Sequence, residues 1–169
     1  MEQTAITILD HHRIMAISTL RPDGWPQTTI VGYANEGFDI FFLIFRSSQK
    51  FQNIAHDGRV SIAVGEEPEN LAELEAVYAG GHAVEVTEPN QRDYAWRLLV
   101  QRHPNLADFE DPDFKDTALM RATCKYVSTL DFTKGFGHKE ELTLGDGGTA
   151  IERGRGEDEW GASAAAKAG

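Results

Sequence analysis

The sequence contains a single cysteine, Cys124, among its 169 residues. An intrachain disulfide is therefore excluded, and so is a metal site built from several cysteines. Basic residues are scarce as well, since 16 Lys and Arg stand against 27 Asp and Glu, which gives a formal net charge of −11. Because no cluster of Lys and Arg interrupts this acidic balance, the phosphates of a nucleic acid would be repelled, and we expect no nucleic acid partner.

Long apolar runs and targeting signals are also missing. The most apolar run, FDIFFLIF, is far shorter than a membrane span and contains Asp39. Residues 1–20 lack the basic start, the apolar stretch and the small-residue cleavage site of a secretory signal. We therefore expect a soluble cytoplasmic protein with a reduced thiol and no membrane partner.

What remains is an ordinary globular composition, with 41% hydrophobic and 25% charged residues. A chain of this length suits one domain whose core folds without disulfides. From about Gly145 onward the chain is rich in Gly, Ala and charge, and Ile151 and Trp160 are its few large apolar side chains. The sequence thus predicts a folded domain over residues 1–144 and a flexible tail over residues 145–169.

Short apolar segments between turn signals predict a mainly β protein. The first strands read IMAISTL, TTIVGYA and FDIFFLIF, with a Pro-Asp-Gly turn after the first and an NEG hairpin turn after the second. Later strands read RVSIAVG, AVYAGGHAVEVT with a bulge at its two glycines, and LMRATCKYVSTLDF. The third strand is apolar on both faces, which indicates burial in a closed barrel or under a partner subunit.

Helical patterns separate these strands. Ala5, Ile8 and Leu9 form a short apolar stripe near the start of the chain. Residues 47–56 predict a second helix, and residues 88–106 contain the clearest helical pattern, with a proline near each end. Five or six strands with inserted helices predict a small β-barrel with helical decoration.

The joint between the third strand and the second helix, FRSSQKFQNI, contains more hydrogen-bond donors than a helix start requires. Ser48 is placed to cap the helix, and the first free amides together with the Lys50 ammonium favour an anion such as phosphate. Gln27 and Thr29 lie on one face of the second strand, and that strand is expected to pair with FDIFFLIF. The alternative is a simple cap with a solvated lysine and an ordinary row of threonines.

The run from MAISTL through IFFLIFRSSQKFQNIAHDGRVSIAVG to YAGGHAVEV resembles the pyridoxamine 5′-phosphate oxidase-like split barrels that bind FMN. Its most specific part is Ser48-x-Lys50 followed by QNI, a helix and a strand ending in VSIAVG. The resemblance implies a split β-barrel, mainly β with helices, that forms a homodimer with FMN bound between its subunits. It implies the cofactor-binding set Gln27, Thr28, Thr29, Leu43, Ile44, Phe45, Arg46, Ser47, Ser48, Gln49 and Lys50.

Several basic residues of the authentic oxidases are missing. Gln49 stands where they usually have Arg, and Thr28 and Tyr33 stand where they have Arg and Lys on the second strand. Because a charge-assisted contact is worth about 1.5–3 kcal/mol, this predicts weaker phosphate binding. The C-terminal substrate motif is missing too, and the DFTKGFGHKEEL ending is similar to uncharacterised bacterial members, so vitamin B6 oxidation is not expected.

The resemblance implies an FMN-dependent oxidoreductase that acts on an unidentified small substrate. His138, directly after the bend formed by Gly135 and Gly137, is a candidate proton donor, and a structural loop histidine is the alternative. Related split barrels use deazaflavin F420 or bind haem, which would need an axial ligand such as His138 or His82. A non-catalytic flavin-binding or stress-related dimer is the third class, and no metal site is expected.

Overall fold

The computed structural model describes residues 2–145 and 150–157. In this part of the chain, nine strands form one antiparallel sheet and three α-helices pack around it. The helices are α1 (Glu2–His11), α2 (Gln49–His56) and α3 (Pro89–Arg102). The strands are β1 (Ile14–Leu20), β2 (Pro26–Gly32), β3 (Ala34–Glu36), β4 (Asp39–Phe45), β5 (Arg59–Gly65), β6 (Glu75–Glu85), β7 (Thr117–Asp131), β8 (His138–Leu144) and β9 (Ala150–Glu157).

The sheet curls into an open barrel. Its strands follow the order β2-β1-β5-β6-β7-β4-β3, and β8 and β9 continue from β7. β7 is long enough to pair with β4 along its first half and with β8 along its second half. β2 and β4 are far apart in this order, yet some of their Cα atoms lie within 8 Å of each other, so the sheet almost closes on itself. This curled, mainly β half-barrel is consistent with a split barrel.

The predicted second strand is wrong in its extent and in its partner. β2 pairs with β1 along its whole length, and only the three residues of β3 pair with β4. The predicted strand is interrupted at Tyr33, between β2 and β3. The buried hydroxyl of Tyr33 donates a hydrogen bond to the carbonyl oxygen of Leu9 at 2.7 Å. Tyr33 thereby anchors α1, and the chain changes pairing partner at this residue.

Except for Phe45 at its end, the strand that reads FDIFFLIF is largely buried on both faces within a single chain. Ile40, Phe42 and Ile44 belong to the main core inside the barrel. On the other face, Phe41 packs in a second cluster with Leu99 of α3. The apolar outer face of β4 is therefore explained by α3, which covers it, and not by a closed barrel or a partner subunit. The composition of β4 gives no reason to expect a dimer.

Other elements lie where the sequence places them. The stripe of α1 is buried, β6 has its bulge between Gly80 and Gly81, and the predicted strands at β1 and β5 match in full. The bulge fits Gly80 closely, because a Cβ there would lie 2.2 Å from Cζ of Tyr126. Within the described residues, no helix has the length and apolar character needed to cross a membrane.

Two strands near the C-terminus are not predicted. β8 follows the last predicted strand, and Ala150–Glu157 forms β9 in a segment where we expect no fixed fold. β9 is held by backbone hydrogen bonds to β8. Because the segment has few large apolar side chains, the hydrophobic pattern does not predict this strand. Trp160 lies outside the described residues, so the proposed tail beyond Glu157 stays a prediction.

Candidate functional site

Ser48 caps α2, as predicted. Its backbone is extended, and its hydroxyl accepts a hydrogen bond from the amide of Phe51 at 3.3 Å. The same hydroxyl donates to the carbonyl oxygen of Phe45 at 2.7 Å, which fixes the turn between β4 and α2. The amides of Gln49 and Lys50, the first two of the helix, need partners from outside it.

We call Ser47, Ser48, Gln49 and Lys50 the α2 turn. Ser47 is exposed and Lys50 is half-buried, and in the part of the chain that the structure describes neither side chain has a hydrogen-bond or ion-pair partner. The positive end of the α2 dipole lies at the same place. The α2 turn therefore presents a hydroxyl, free amides and one ammonium group, which suits a small anion.

Arg46 precedes the α2 turn, but its guanidinium is already occupied. It forms a two-point pair with the Glu85 carboxylate, with Nη1 3.1 Å from Oε2, and its Nε donates to the carbonyl oxygen of Phe114 at 3.1 Å. Hydrogen bonds to Glu85 raise the pKa of Arg46 further above its ordinary value. Arg46 also lies over the ring of Phe51 at 5.3 Å, so its contacts hold the joint together.

The start of β2 reaches α2 through a buried asparagine. Asn53 has no exposed surface, and its Nδ2 donates to Oε1 of Gln27 at 3.1 Å and to Oγ1 of Thr19 at 2.9 Å. Its Oδ1 accepts a hydrogen bond from Nε2 of Gln49 at 2.9 Å. Gln27 and Gln49, predicted from separate segments, therefore belong to one cluster.

The two threonines of β2 lie on opposite faces. Thr28 is exposed and shares a 2.7 Å hydrogen bond with Ser18 on the outer surface of the sheet. Oγ1 of Thr29 is shielded from solvent, on the same side of the strand as Gln27, and has no hydrogen-bond partner among the described residues. The structure thus groups Thr29, and not Thr28, with the face of β2 that meets α2.

The segment from Leu43 to Phe45 alternates in the same way. Ile44 is in the main core, Leu43 packs beside the cluster under α3, and Phe45 is 66% exposed. The exposed ring of Phe45, two residues before Ser47, gives an apolar surface close to the positive end of α2. This arrangement suits a ligand with a planar ring and a phosphate.

The candidate histidines lie elsewhere. His138 is 7% exposed, and its Nε2 is 3.3 Å from Oε1 of Glu140. It begins β8, next to the C-terminal end of β7, whereas Phe45 pairs with Thr117 at the other end. His82 is exposed on β6. The structure therefore does not bring either histidine to the α2 turn, and no group of three metal-binding side chains occurs in the described residues.

Asn53 and Thr19 are not among the residues predicted from the sequence. A signal was present, because Gln49 and Asn53 are four residues apart and share one face of α2. The burial of Asn53 depends on β1 and β2, so the helical pattern alone does not identify it.

A family model described as pyridoxamine 5′-phosphate oxidase matches residues 1–131. No curated protein matches the sequence. Among solved structures, the chain is similar to a haem-binding protein from Mycobacterium smegmatis, with a TM-score of 0.73 and 20% identity. The match covers 84% of this chain and 57% of that protein, so the chain spans a little more than half of its length.

Two further structures share the fold. A conserved hypothetical protein from Mycobacterium tuberculosis has a TM-score of 0.70 and 22% identity over 79% of this chain and 86% of its own. A FAD-binding protein from Mesorhizobium loti has a TM-score of 0.61 and 19% identity over 76% of this chain and 92% of its own. Similarity at these identities concerns the fold alone.

Proposed function

This chain belongs to the pyridoxamine 5′-phosphate oxidase family, and on that premise we propose that it binds FMN and is an oxidoreductase for an unidentified small substrate. The observation that carries the proposal is the α2 turn, where the Ser47 hydroxyl and the Lys50 ammonium have no partners in the described part of the chain and the first helix amides lie beside them. We also propose that the protein is cytoplasmic.

In this proposal the α2 turn binds the phosphate of FMN. Lys50 supplies the charge, and Ser47 and the first amides of α2 supply hydrogen bonds. Ser48 contributes through its cap, because its hydroxyl already donates to Phe45. Arg46 is assigned a bracing role, because its guanidinium is paired with Glu85.

The remaining predicted residues would contact the rest of the cofactor. The solvent-shielded hydroxyl of Thr29 lacks a partner among the described residues, which suits a hydroxyl of the ribityl chain, and Gln27 lies on the same side of β2. Leu43 to Phe45 would line the ring system. FMN, when bound, supplies the redox chemistry, while the chain binds and orients it.

We also propose that the protein is a homodimer, and we assign its interface to the outer face of the sheet. Ile14, Ile30 and Tyr78 are 59%, 64% and 44% exposed. With other mainly apolar residues and Glu66 at one edge, they line a shallow cavity of about 320 Å³. An apolar patch of this kind on a sheet is typical of a protein interface. Thr28 lies on the same face, so it would contact the partner or a ligand held between subunits.

Other ligands remain as alternatives. Deazaflavin F420 also carries a phosphate and would use the same turn. Haem is supported by the name of the Mycobacterium smegmatis protein. Of the histidines named as axial ligands, His138 is 7% exposed and lies at the opposite end of β7 from Phe45, and His82 is exposed on β6. A non-catalytic flavin-binding protein would keep the FMN site and lack turnover.

Titration of the purified protein with FMN tests the proposal. We expect quenching of flavin fluorescence and a dissociation constant that Lys50→Ala raises at least severalfold. Lys139→Ala is the matched control, because it removes the same charge from β8, where Lys139 pairs with Glu141 at 3.0 Å. Equal affinity in the wild type and Lys50→Ala contradicts the assigned phosphate site, and a Soret band in the absorption spectrum favours haem.

A further inference from the structure

Asn53, Thr19, Gln27 and Gln49 form a cluster that joins α2 to β1 and β2, which we call the Asn53 cluster. Asn53 is its centre, with three hydrogen bonds of 2.9 to 3.1 Å and no exposed surface. A buried primary amide needs such partners, because it has two donors and an acceptor that are costly to leave unpaired. The cluster therefore stabilises the packing of α2 on the sheet.

The cluster also determines which end of each glutamine remains free. Gln27 contacts Asn53 with its oxygen, so both hydrogens of its Nε2 are left for another partner. Gln49 contacts Asn53 with its nitrogen, so its oxygen is the free end. Neither glutamine amide is able to rotate by 180° while Asn53 stays fixed. Rotation of Gln27 would place two NH₂ groups against each other, and rotation of Gln49 would place two oxygens against each other.

This orientation matters for a site with few cations. Lys50 is the one ammonium group of the α2 turn, and Thr28 and Gln49 stand where the authentic oxidases have arginine. A neutral amide that is held with its nitrogen toward the ligand is a hydrogen-bond donor that requires no reorganisation. Gln27 is half-buried beside α2, and its Nε2 has no partner among the described residues.

We propose that Asn53 is a positioning residue that holds Gln27 with its amide nitrogen directed to the acceptor oxygens of a phosphorylated ligand. The inference rests on the proposed FMN site, whose phosphate or ribityl oxygens are the acceptors. Asn53 acts through Gln27 and has no ligand contact of its own, since it is fully buried.

A purely structural role for Asn53 is the competing explanation, and two variants separate the roles. Asn53→Leu releases Gln27 and carries no charge, whereas Thr19→Val removes one bond of Asn53 and leaves the bond to Gln27. Both are expected to lower the melting temperature. We expect Asn53→Leu to raise the dissociation constant for FMN about tenfold and Thr19→Val to change it less than about twofold.

Side-chain amide exchange in the free protein gives a readout that needs no ligand. Nitrogen-15 NMR spectra should show slow hydrogen exchange at the side-chain amides of Asn53 and Gln49 and fast exchange at that of Gln27. On addition of FMN, the Gln27 amide should shift and become protected. Protection of the Gln27 amide in the free protein overturns the inference, because its nitrogen would then be the end bound to Asn53.

The outcomes distinguish this inference from the proposed function. If the wild type does not bind FMN, the proposed function fails, and the exchange pattern still decides the orientation of Gln27. If the wild type binds FMN and Asn53→Leu binds it equally well, or if both variants weaken binding by the same factor, the positioning role is overturned. Should Asn53→Leu fail to fold, Gln27→Leu replaces it, and unchanged affinity in that variant overturns the inference.

Discussion

Arg46 and Glu85 form a two-point ion pair that joins the end of β4 to the end of β6. The carbonyl oxygen of Phe114 accepts a third hydrogen bond from the same guanidinium. Arg46 directly precedes the α2 turn in sequence, but its guanidinium therefore holds strands together.

Arg46→Lys is expected to lower the melting temperature by several degrees. A lysine has no planar fork, so it does not reproduce the paired contact with Glu85 and the contact with Phe114 at once. Glu85→Gln should have a similar effect, and a thermal unfolding series with both single variants and the double variant measures their coupling. If Arg46→Lys leaves stability unchanged and weakens FMN binding as much as Lys50→Ala does, Arg46 is a phosphate ligand instead.

Cys124 is expected to be unreactive in the native protein. Burial, followed by the charge of Asp39, raises the pKa of its thiol from 9.0 to about 12. At about pH 8 a chromogenic disulfide reagent should therefore label the protein only after unfolding in denaturant. Rapid labelling of the native protein contradicts the burial of this side chain.

The same shift predicts a loss of stability in alkali. The folded state keeps the Cys124 proton more tightly than the unfolded state does, so this contribution is complete below pH 9.0 and falls as the pH rises toward about 12. Cys124→Ala removes this dependence, and a comparison of chemical denaturation at neutral and alkaline pH measures the difference. An identical decline in both proteins contradicts the assignment.

Ile30→Arg is expected to convert the proposed homodimer to a monomer. The substitution places a charge in the middle of the apolar outer face, where a partner would have to bury it. Leu71→Arg is the matched control, because Leu71 is 57% exposed but lies outside that face. Light scattering should give a dimer mass for the wild type and the control, and a monomeric wild type at micromolar concentration contradicts the dimer.

Two truncations test the C-terminal part of the chain. Ending the chain after Leu144 removes β9 and leaves β8 with an unpaired edge, so we expect a lower melting temperature. Ending it after Glu157 removes Trp160 and keeps β9, so we expect an unchanged melting temperature and unchanged FMN affinity. Lower FMN affinity in a still dimeric Glu157 truncation would instead make the segment with Trp160 a lid over the cofactor.

Local features of the fold follow from the sequence, and pairing over long distances does not. Ser48 is identified as a cap because the signal lies within four residues of it, and the glycine pair of β6 indicates its bulge. The partner of β2 depends on the contact between Tyr33 and Leu9, which the sequence pattern does not contain. Similarly, β4 looks incomplete on its own, because α3, which covers it, follows it by more than forty residues.

The candidate site shows the same division. The α2 turn is contiguous, so its donors are visible as a group in the sequence. The link between Gln27 and Asn53 crosses from a strand to a helix 26 residues later, and the helical pattern alone does not mark Asn53 as a buried position. Only the packing of α2 against β1 and β2 makes it a buried group.

The pairing of β4 with β7 has a consequence for synthesis of the protein on the ribosome. Asp39 and Thr123 pair across 84 residues, so β4 emerges long before the strand that completes it. During that interval its apolar residues and unpaired backbone edge are available to other nascent chains. Closure of such a distant pair is slow relative to local hairpins. The growing polypeptide is therefore most prone to aggregate between the emergence of β4 and that of β7, and a chaperone that shields extended apolar segments would act in this period.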